Sequence, residues 1–311
     1  MRLGTLSTVL CSVLLLPLSK LAAFEMPNEI AAAIQAIGPV INPAETAKLY
    51  APLHAKEPYE GVLVQRDQRY GEAERQRLDV FTKFEAKDAR PILLFVHGGG
   101  YVRGDKRLGK DNPFYDNVML WAVQHGMVGI NVTYRLAPDA AWPSAAEDVA
   151  LAVAWVRANA KRLGGDPSRI FIMAHSAGAT HVAGYLARPD LTKNGDIAGA
   201  VLVSGTYRLQ PAIDIPGQKA YFGADTASWE TRPPLRGLAA TRVPLFIVHG
   251  EIDVPYYIEQ AHLLRDALCA EQRCPRFMSL AGHSHMSEVY AINTGDTTLV
   301  GPLLEFITQR R

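Results

Sequence analysis

Cysteine is scarce: the 311-residue chain has three, and Cys11 lies in an apolar leader apart from the rest. Cys269 and Cys274 have no His or Cys neighbours at zinc-site spacing, so a structural metal finds no ligand set there. Two nearby cysteines on a helix-to-strand connection read instead as a small disulfide loop suited to an oxidising compartment. Charge of one sign is also missing. The formal net charge is +1, and no basic run is long enough to form a patch, which removes nucleic acid as an expected partner. No apolar run reaches the ~20 residues that span a bilayer. There is no internal repeat and no low-complexity tract. No Gly-Lys-Ser/Thr follows the glycines at 98–100, and no His-Glu-x-x-His occurs, so neither a phosphate loop nor a metal helix is indicated. No cofactor or metal is expected.

What is present begins with the leader. Arg2 precedes a mostly apolar, uncharged run over 6–18, and Leu21-Ala22-Ala23 offers small residues for cleavage. A positive start, a short apolar stretch and a small-residue exit describe an export signal over 1–23. The expected product is a mature domain over 24–311, periplasmic or secreted, with no stable membrane span after cleavage. Hydrophobic residues make up 48% of the chain and charged residues 20%, which is enough apolar material for one large core.

From residue 59 onward strand-like and helix-like stretches alternate, the pattern of an α/β fold with a mostly parallel central sheet and helices on both faces. Strands are expected at 61–65, 78–82, 91–96, 127–133, 169–173, 197–203, 243–248 and 277–280. Helices are expected at 144–163, 177–187, 255–270 and 299–308. Ser144 is placed to cap the first of these, and Gly164-Gly165 to end it. Two stretches break the alternation. Residues 24–58 form an N-terminal extension with a short helical pattern at 30–37. Residues 206–241 are rich in Pro, Gly and aromatics. Both stretches read as a cap or small lid over the carboxyl ends of the strands, where open α/β sheets bind ligands.

The chemistry-bearing residues sit at strand ends. Ala174-His175-Ser176-Ala177-Gly178 follows an apolar strand and precedes a helix, so a tight turn would expose the Ser176 hydroxyl and aim the Ala177 amide at a carbonyl under attack. A serine hydroxyl needs a base to take its proton. Ala281-Gly282-His283-Ser284-His285-Met286 offers two; His285 is the expected base and His283 the alternative. Asp253, after the strand at 243–248, is the expected orienting acid, with Glu251 two residues before it as the alternative. His97-Gly98-Gly99-Gly100 could turn the backbone amides of Gly98 and Gly99 into the site beside that of Ala177. His97 reads as a structural residue, as do His175, His181 and His249. Tyr101, Tyr134, Tyr207, Tyr221 and Phe222 are the expected lining of a substrate pocket.

In order and wording these pieces resemble the esterase branch of the α/β-hydrolases related to hormone-sensitive lipase, over roughly residues 59–308. The resemblance rests on His97-Gly98-Gly99-Gly100-Tyr101 with Gly104-Asp105-Lys106, and on Val132-Thr133-Tyr134-Arg135-Leu136-Ala137-Pro138. It continues through 143–148 and Gly164-Gly165-Asp166-Pro167-Ser168-Arg169-Ile170 to the serine turn. The turn His175-Ser176-Ala177-Gly178-Ala179 is similar to that of kynurenine formamidases, in which a large apolar residue follows the catalytic histidine, as Met286 follows His285. The resemblance implies an α/β-hydrolase fold and a carboxylesterase working on small ester substrates of short to medium acyl length through a Ser176-Asp253-His285 triad. Its alternatives are an arylformamidase-like amide hydrolase and a catalytically silent α/β-hydrolase used as a binding module.

Overall fold

The computed structural model describes residues 26–84, 89–192, 195–213, 215 and 217–309; the export signal expected over 1–23 lies outside them. Eight strands form one sheet: β1 (Val62–Arg69), β2 (Arg77–Lys83), β3 (Arg90–Val96), β4 (Val128–Val132), β5 (Gly165–His175), β6 (Gly199–Val203), β7 (Leu245–Gly250) and β8 (Arg276–Leu280). Their spatial order is β1-β2-β4-β3-β5-β6-β7-β8. The first two pairings, β1 with β2 and β2 with β4, are antiparallel, and all the others are parallel.

Side-chain parity explains why the central strands are apolar throughout. Successive residues of a strand face opposite sides. In β3, Ile92, Leu94 and Val96 enter one core layer, while Leu93 and Phe95 enter the other. In β5, Ile170, Ile172 and Ala174 take the first layer, and Phe171 and Met173 the second. A strand buried on both faces has no polar side to show, hence the continuous runs.

Helices α1 (Asn28–Ile37), α2 (Pro43–Tyr50), α3 (Asp116–Gln124), α4 (Ser144–Asn159) and α5 (Ala177–Leu186) come before the lid. Then follow α6 (Gln218–Phe222), α7 (Leu235–Leu238), α8 (Pro255–Ala270), α9 (Ser287–Tyr290) and α10 (Val300–Thr308). The first core layer lies under α4, α5 and α8, and the second under α1, α2, α3 and α10. Among the described residues no helix is long and apolar enough to cross a membrane.

Two local expectations are corrected. Ser144 does not cap α4: Pro143 occupies the cap position, so the serine falls one residue inside the helix and its hydroxyl donates to the Ala140 carbonyl at 2.8 Å. That helix ends at Asn159, and a 3-10 turn, Lys161–Leu163, carries the chain to Gly164 in the left-handed conformation. Residues 26–58 pack against the second layer and reach the strand ends at α9: the His54 ring N–H donates to the Tyr290 carbonyl at 2.8 Å, and the Phe114 ring stacks on Tyr290 behind it. Cys269 and Cys274 are joined in a disulfide.

Candidate active site

Ser176 sits on the turn between β5 and α5 with φ 56° and ψ −125°, a conformation that costs a non-glycine residue of order 1–3 kcal/mol. The strain is held by close packing. A Cβ on Gly178 would lie 2.4 Å from the carbonyl oxygens of Val96 and His97, and one on Gly98 would lie 2.9 Å from Ser176 Cβ. The loop after β3 and the turn after β5 thus meet backbone to backbone, which is why their sequences are poor in side chains.

The Ser176 hydroxyl donates to His285 Nε2 at 2.9 Å, and His285 Nδ1–H donates to Asp253 Oδ1 at 2.9 Å. Asp253 Oδ1 also accepts from the Val254 amide at 2.6 Å. Burial by itself would raise the Asp253 carboxyl, but His285 opposite overcomes it, and the group is held below its ordinary value. The three side chains are almost wholly buried, Ser176 with 6% of its surface exposed and the other two with 1% each. Glu251, the other acid considered, is exposed and accepts from the Gly282 amide instead.

His283 belongs to a different pair. Its Nε2 lies 3.0 Å from Asp296 Oδ2 and its Nδ1 lies 3.1 Å from Ser287 Oγ. The structure therefore brings His285, not His283, to Ser176.

Of the other histidines near the site, His97, His175 and His249 brace the backbone, and His181 packs by its ring alone. His97 Nδ1–H donates to the Gly98 carbonyl, and its ring stacks on Tyr134, whose hydroxyl donates to the His97 carbonyl at 2.8 Å. His175 Nε2–H donates to the His285 carbonyl at 2.8 Å. Burial, and then His285, press His175 down to about 3, so its ring is neutral. His181 is likewise pressed down to about 3, by burial and then by His97. His249 donates to the carbonyl of Gly250.

Of the expected pocket residues, Tyr101, Tyr221 and Phe222 gather around His181 beside the serine turn. Gly217 at φ +82° brings the lid so near the loop after β3 that a Cβ there would overlap the Gly100 carbonyl. Tyr134 joins the same cluster, its ring edge-on to His181 at 4.7 Å. Tyr134 also supports the His97 loop, and Tyr207 lines a cavity of about 410 Å³ with Leu209, Trp229 and Leu235. Tyr257, which no motif announced, packs its ring 4.5 Å from that of His285. It is in the first turn of α8, just after Asp253, and that position next to the acid was the available signal.

His175, His285 and Glu288 bring possible ligand atoms within 4.8 Å of one another. Both ring nitrogens of His285 are engaged by Ser176 and Asp253, and the His175 N–H is spent on a carbonyl. A divalent ion would have to take one of the two His285 nitrogens and so break its bond to Ser176 or to Asp253, and this donor set does not fit one without undoing the relay.

The BD-FAE family matches residues 78–195. The probable carboxylic ester hydrolase LipM of Mycobacterium tuberculosis is 28% identical over 249 residues, which cover 72% of this chain and 56% of LipM. The kynurenine formamidase of Danio rerio is 33% identical over 150 residues, 47% of each chain. Among solved structures, a bacterial heroin esterase superposes with a TM-score of 0.70 at 21% identity, covering 91% of this chain and 98% of that one. The chain spans little more than half the length of the curated relatives it matches, 56% and 58% for LipM and the esterase LipC of the same bacterium. Sheet order, serine turn and the likeness to solved structures give the chain an α/β-hydrolase fold, and in sequence it is similar to carboxylesterases.

Proposed function

We propose that the protein is a serine hydrolase that cleaves carboxylic esters of short to medium acyl length through an acyl-enzyme. The observation that carries this reading is the unbroken run of hydrogen bonds from Asp253 through His285 to Ser176. In the proposed reaction Ser176 Oγ attacks the ester carbonyl as His285 Nε2 takes its proton, and Asp253 stabilises the imidazolium. The amides of Gly98, Gly99 and Ala177 receive the developing oxyanion. His285 returns the proton to the departing alcohol, and water, activated in the same way, releases the acid. General base assistance supplies about 10²–10⁴-fold, and each oxyanion donor about 10²–10³-fold. The short acyl range is supported by the lid, whose helices α6 and α7 have five and four residues.

The test is labelling by a fluorophosphonate together with a p-nitrophenyl ester series. Labelling that disappears in Ser176→Ala is the expected result; a protein that takes no label has no such nucleophile and would be a binding module. A second reading, formamide hydrolysis, is favoured by the 33% identity to a kynurenine formamidase and by the aromatic cluster around His181. N-formylkynurenine assayed beside the esters separates the two, and a strong preference for the formamide would displace the ester reading. Export through a signal over 1–23 is supported by the apolar leader and the paired Cys269 and Cys274. Its check is the N-terminal sequence of the protein recovered outside the cytoplasm.

A further inference from the structure

A second buried carboxyl lies near the acid of the site. Glu288, at the start of α9, is 1% exposed, and its Oε1 is 2.8 Å from Ser204 Oγ. Ser204 stands on the turn after β6 at φ 51°, with its hydroxyl next to the Asp253 carboxylate. Asp253 Oδ2 is buried and has no hydrogen-bond partner among the described residues. Glu288 Oε2 is in the same condition, 3.7 Å from His175 Nε2, whose proton is already given to the His285 carbonyl.

The groups facing Glu288 come from three strand ends: the Gly250 amide and Asp253 from β7, His175 from β5, and Ser204 and Tyr207 from β6. None of them carries a fixed positive charge. Two ionised carboxylates cannot share so dry a space, so one of them keeps a proton. Asp253 has His285 to balance its charge, and Glu288 has a hydroxyl and a neutral imidazole. Burial first, and then Asp253, hold the Glu288 carboxyl well above the usual range.

We propose that Glu288 is a neutral carboxylic acid that donates its proton to Ser204 Oγ, turning the Ser204 hydroxyl toward the open oxygen of Asp253. Ser204 and Glu288 are then positioning residues. They give the acid a third donor, on the oxygen that His285 and Val254 leave open, fix its plane, and keep a competing negative charge away from His285. No bond to carbon changes and no proton leaves the pair. The kinetic part of this inference rests on the hydrolase reading; the protonation of Glu288 does not.

Two measurements on the whole protein test it. Infrared difference spectra between the parent and Glu288→Gln at neutral pH should show the carbonyl stretch of a protonated carboxyl in the parent alone. A parent lacking that band overturns the proposal without any reference to activity. The pH profile of kcat/KM on a p-nitrophenyl ester is the second readout. Glu288→Gln replaces one neutral group by another, so the acid limb should stay within about 0.2 units of the parent. Ser204→Ala withdraws the donor from Asp253, leaving a more basic carboxylate. The acid limb should then move up by roughly 0.5 units and kcat fall about tenfold. An acid limb that drops by about a unit in Glu288→Gln would mean that a charge had been removed, and would overturn the proposal. So would a Ser204→Ala variant with unchanged kcat and profile. If the parent takes no fluorophosphonate label, the hydrolase reading fails by itself, while the infrared band still decides the protonation.

Discussion

Gly98→Ala adds a single methyl group at the point where the loop after β3 passes the serine. The substituted Cβ would stand 2.9 Å from Ser176 Cβ and 3.2 Å from both Nδ1 and the carbonyl oxygen of His175. Gly98 does not have a positive φ, so alanine meets no backbone penalty and the whole effect is steric. Ordinary contact begins near 3.4 Å, so the loop must retreat from Ser176 by about half an ångström, since the serine turn is pinned from below by Gly178. Overpacking of this kind costs about 1–3 kcal/mol of stability. The retreat also carries the Gly98 and Gly99 amides away from the position of the oxyanion, and loss of one such donor costs about 10²–10³ in kcat. Gly301→Ala is the internal control. A Cβ there meets nothing within 4 Å, and the site is helical, so the change should stabilise α10 by about 0.5–1 kcal/mol and leave kcat alone. Urea denaturation and kcat/KM on one ester measure both quantities. A Gly98→Ala protein with parental kcat would refute the assignment of that loop to the oxyanion, whatever its stability.

Three further outcomes follow from the geometry. Asp253→Asn should reverse the hydrogen bond to Nδ1 and present the wrong tautomer to Ser176, lowering kcat by about 10⁴ with little loss of fold; steady-state kinetics and a melting curve check it. His285→Ala should abolish fluorophosphonate labelling, whereas His283→Ala should keep it and lose about 3 kcal/mol of stability, because Asp296 is left buried without its partner. The His283–Asp296 pair also sets a pH dependence. Burial would raise the Asp296 carboxyl, but His283 reverses this and holds it below 3.8. A depressed folded value means that the stabilisation is complete above the unfolded value and is lost as pH falls through the folded one. Denaturation midpoints should therefore fall as the pH drops below about 4, and less steeply in His283→Ala.

The sheet was legible where burial on two faces forces continuous apolar runs, as at 91–96 and 169–173. It was less legible where tertiary contacts replace a local pattern. Helix α3 went unmarked because Val118, Met119, Leu120, Trp121, Ala122 and Val123 are all buried, so no polar face exists to give a helical period. What anchors it lies far off in the chain. Asp116 accepts from Arg66, and Asn117 Nδ2 donates to the carbonyls of Val289 and Ile292. Likewise β1 runs past 65 to Arg69 only by means of a bulge between Gln65 and Gln68. There Asp67 at φ 56° gives its amide to the Asp79 carboxylate at 2.8 Å. The partner that rewards the strained residue is on another strand, and no window around Asp67 contains it.

The two histidines make the same point within the site. His283 and His285 share one loop, and residue type alone allows either to be the base. What separates them is that each has its own aspartate, placed by a different element. The His283 carbonyl is tied to the Ile252 amide at 2.8 Å, and a Cβ on Gly250 would sit 2.3 Å from it, so the backbone there is pressed onto the end of β7 and the ring turns to Asp296. Two residues later the His285 carbonyl is caught by His175 from β5, which turns its ring to Asp253 and Ser176. His175 is next to the serine in sequence, so the strand that presents the nucleophile also sets the orientation of the base. Replacing the His175 ring should therefore loosen His285 before it disturbs Ser176, and the loss should be seen in kcat rather than in the melting temperature.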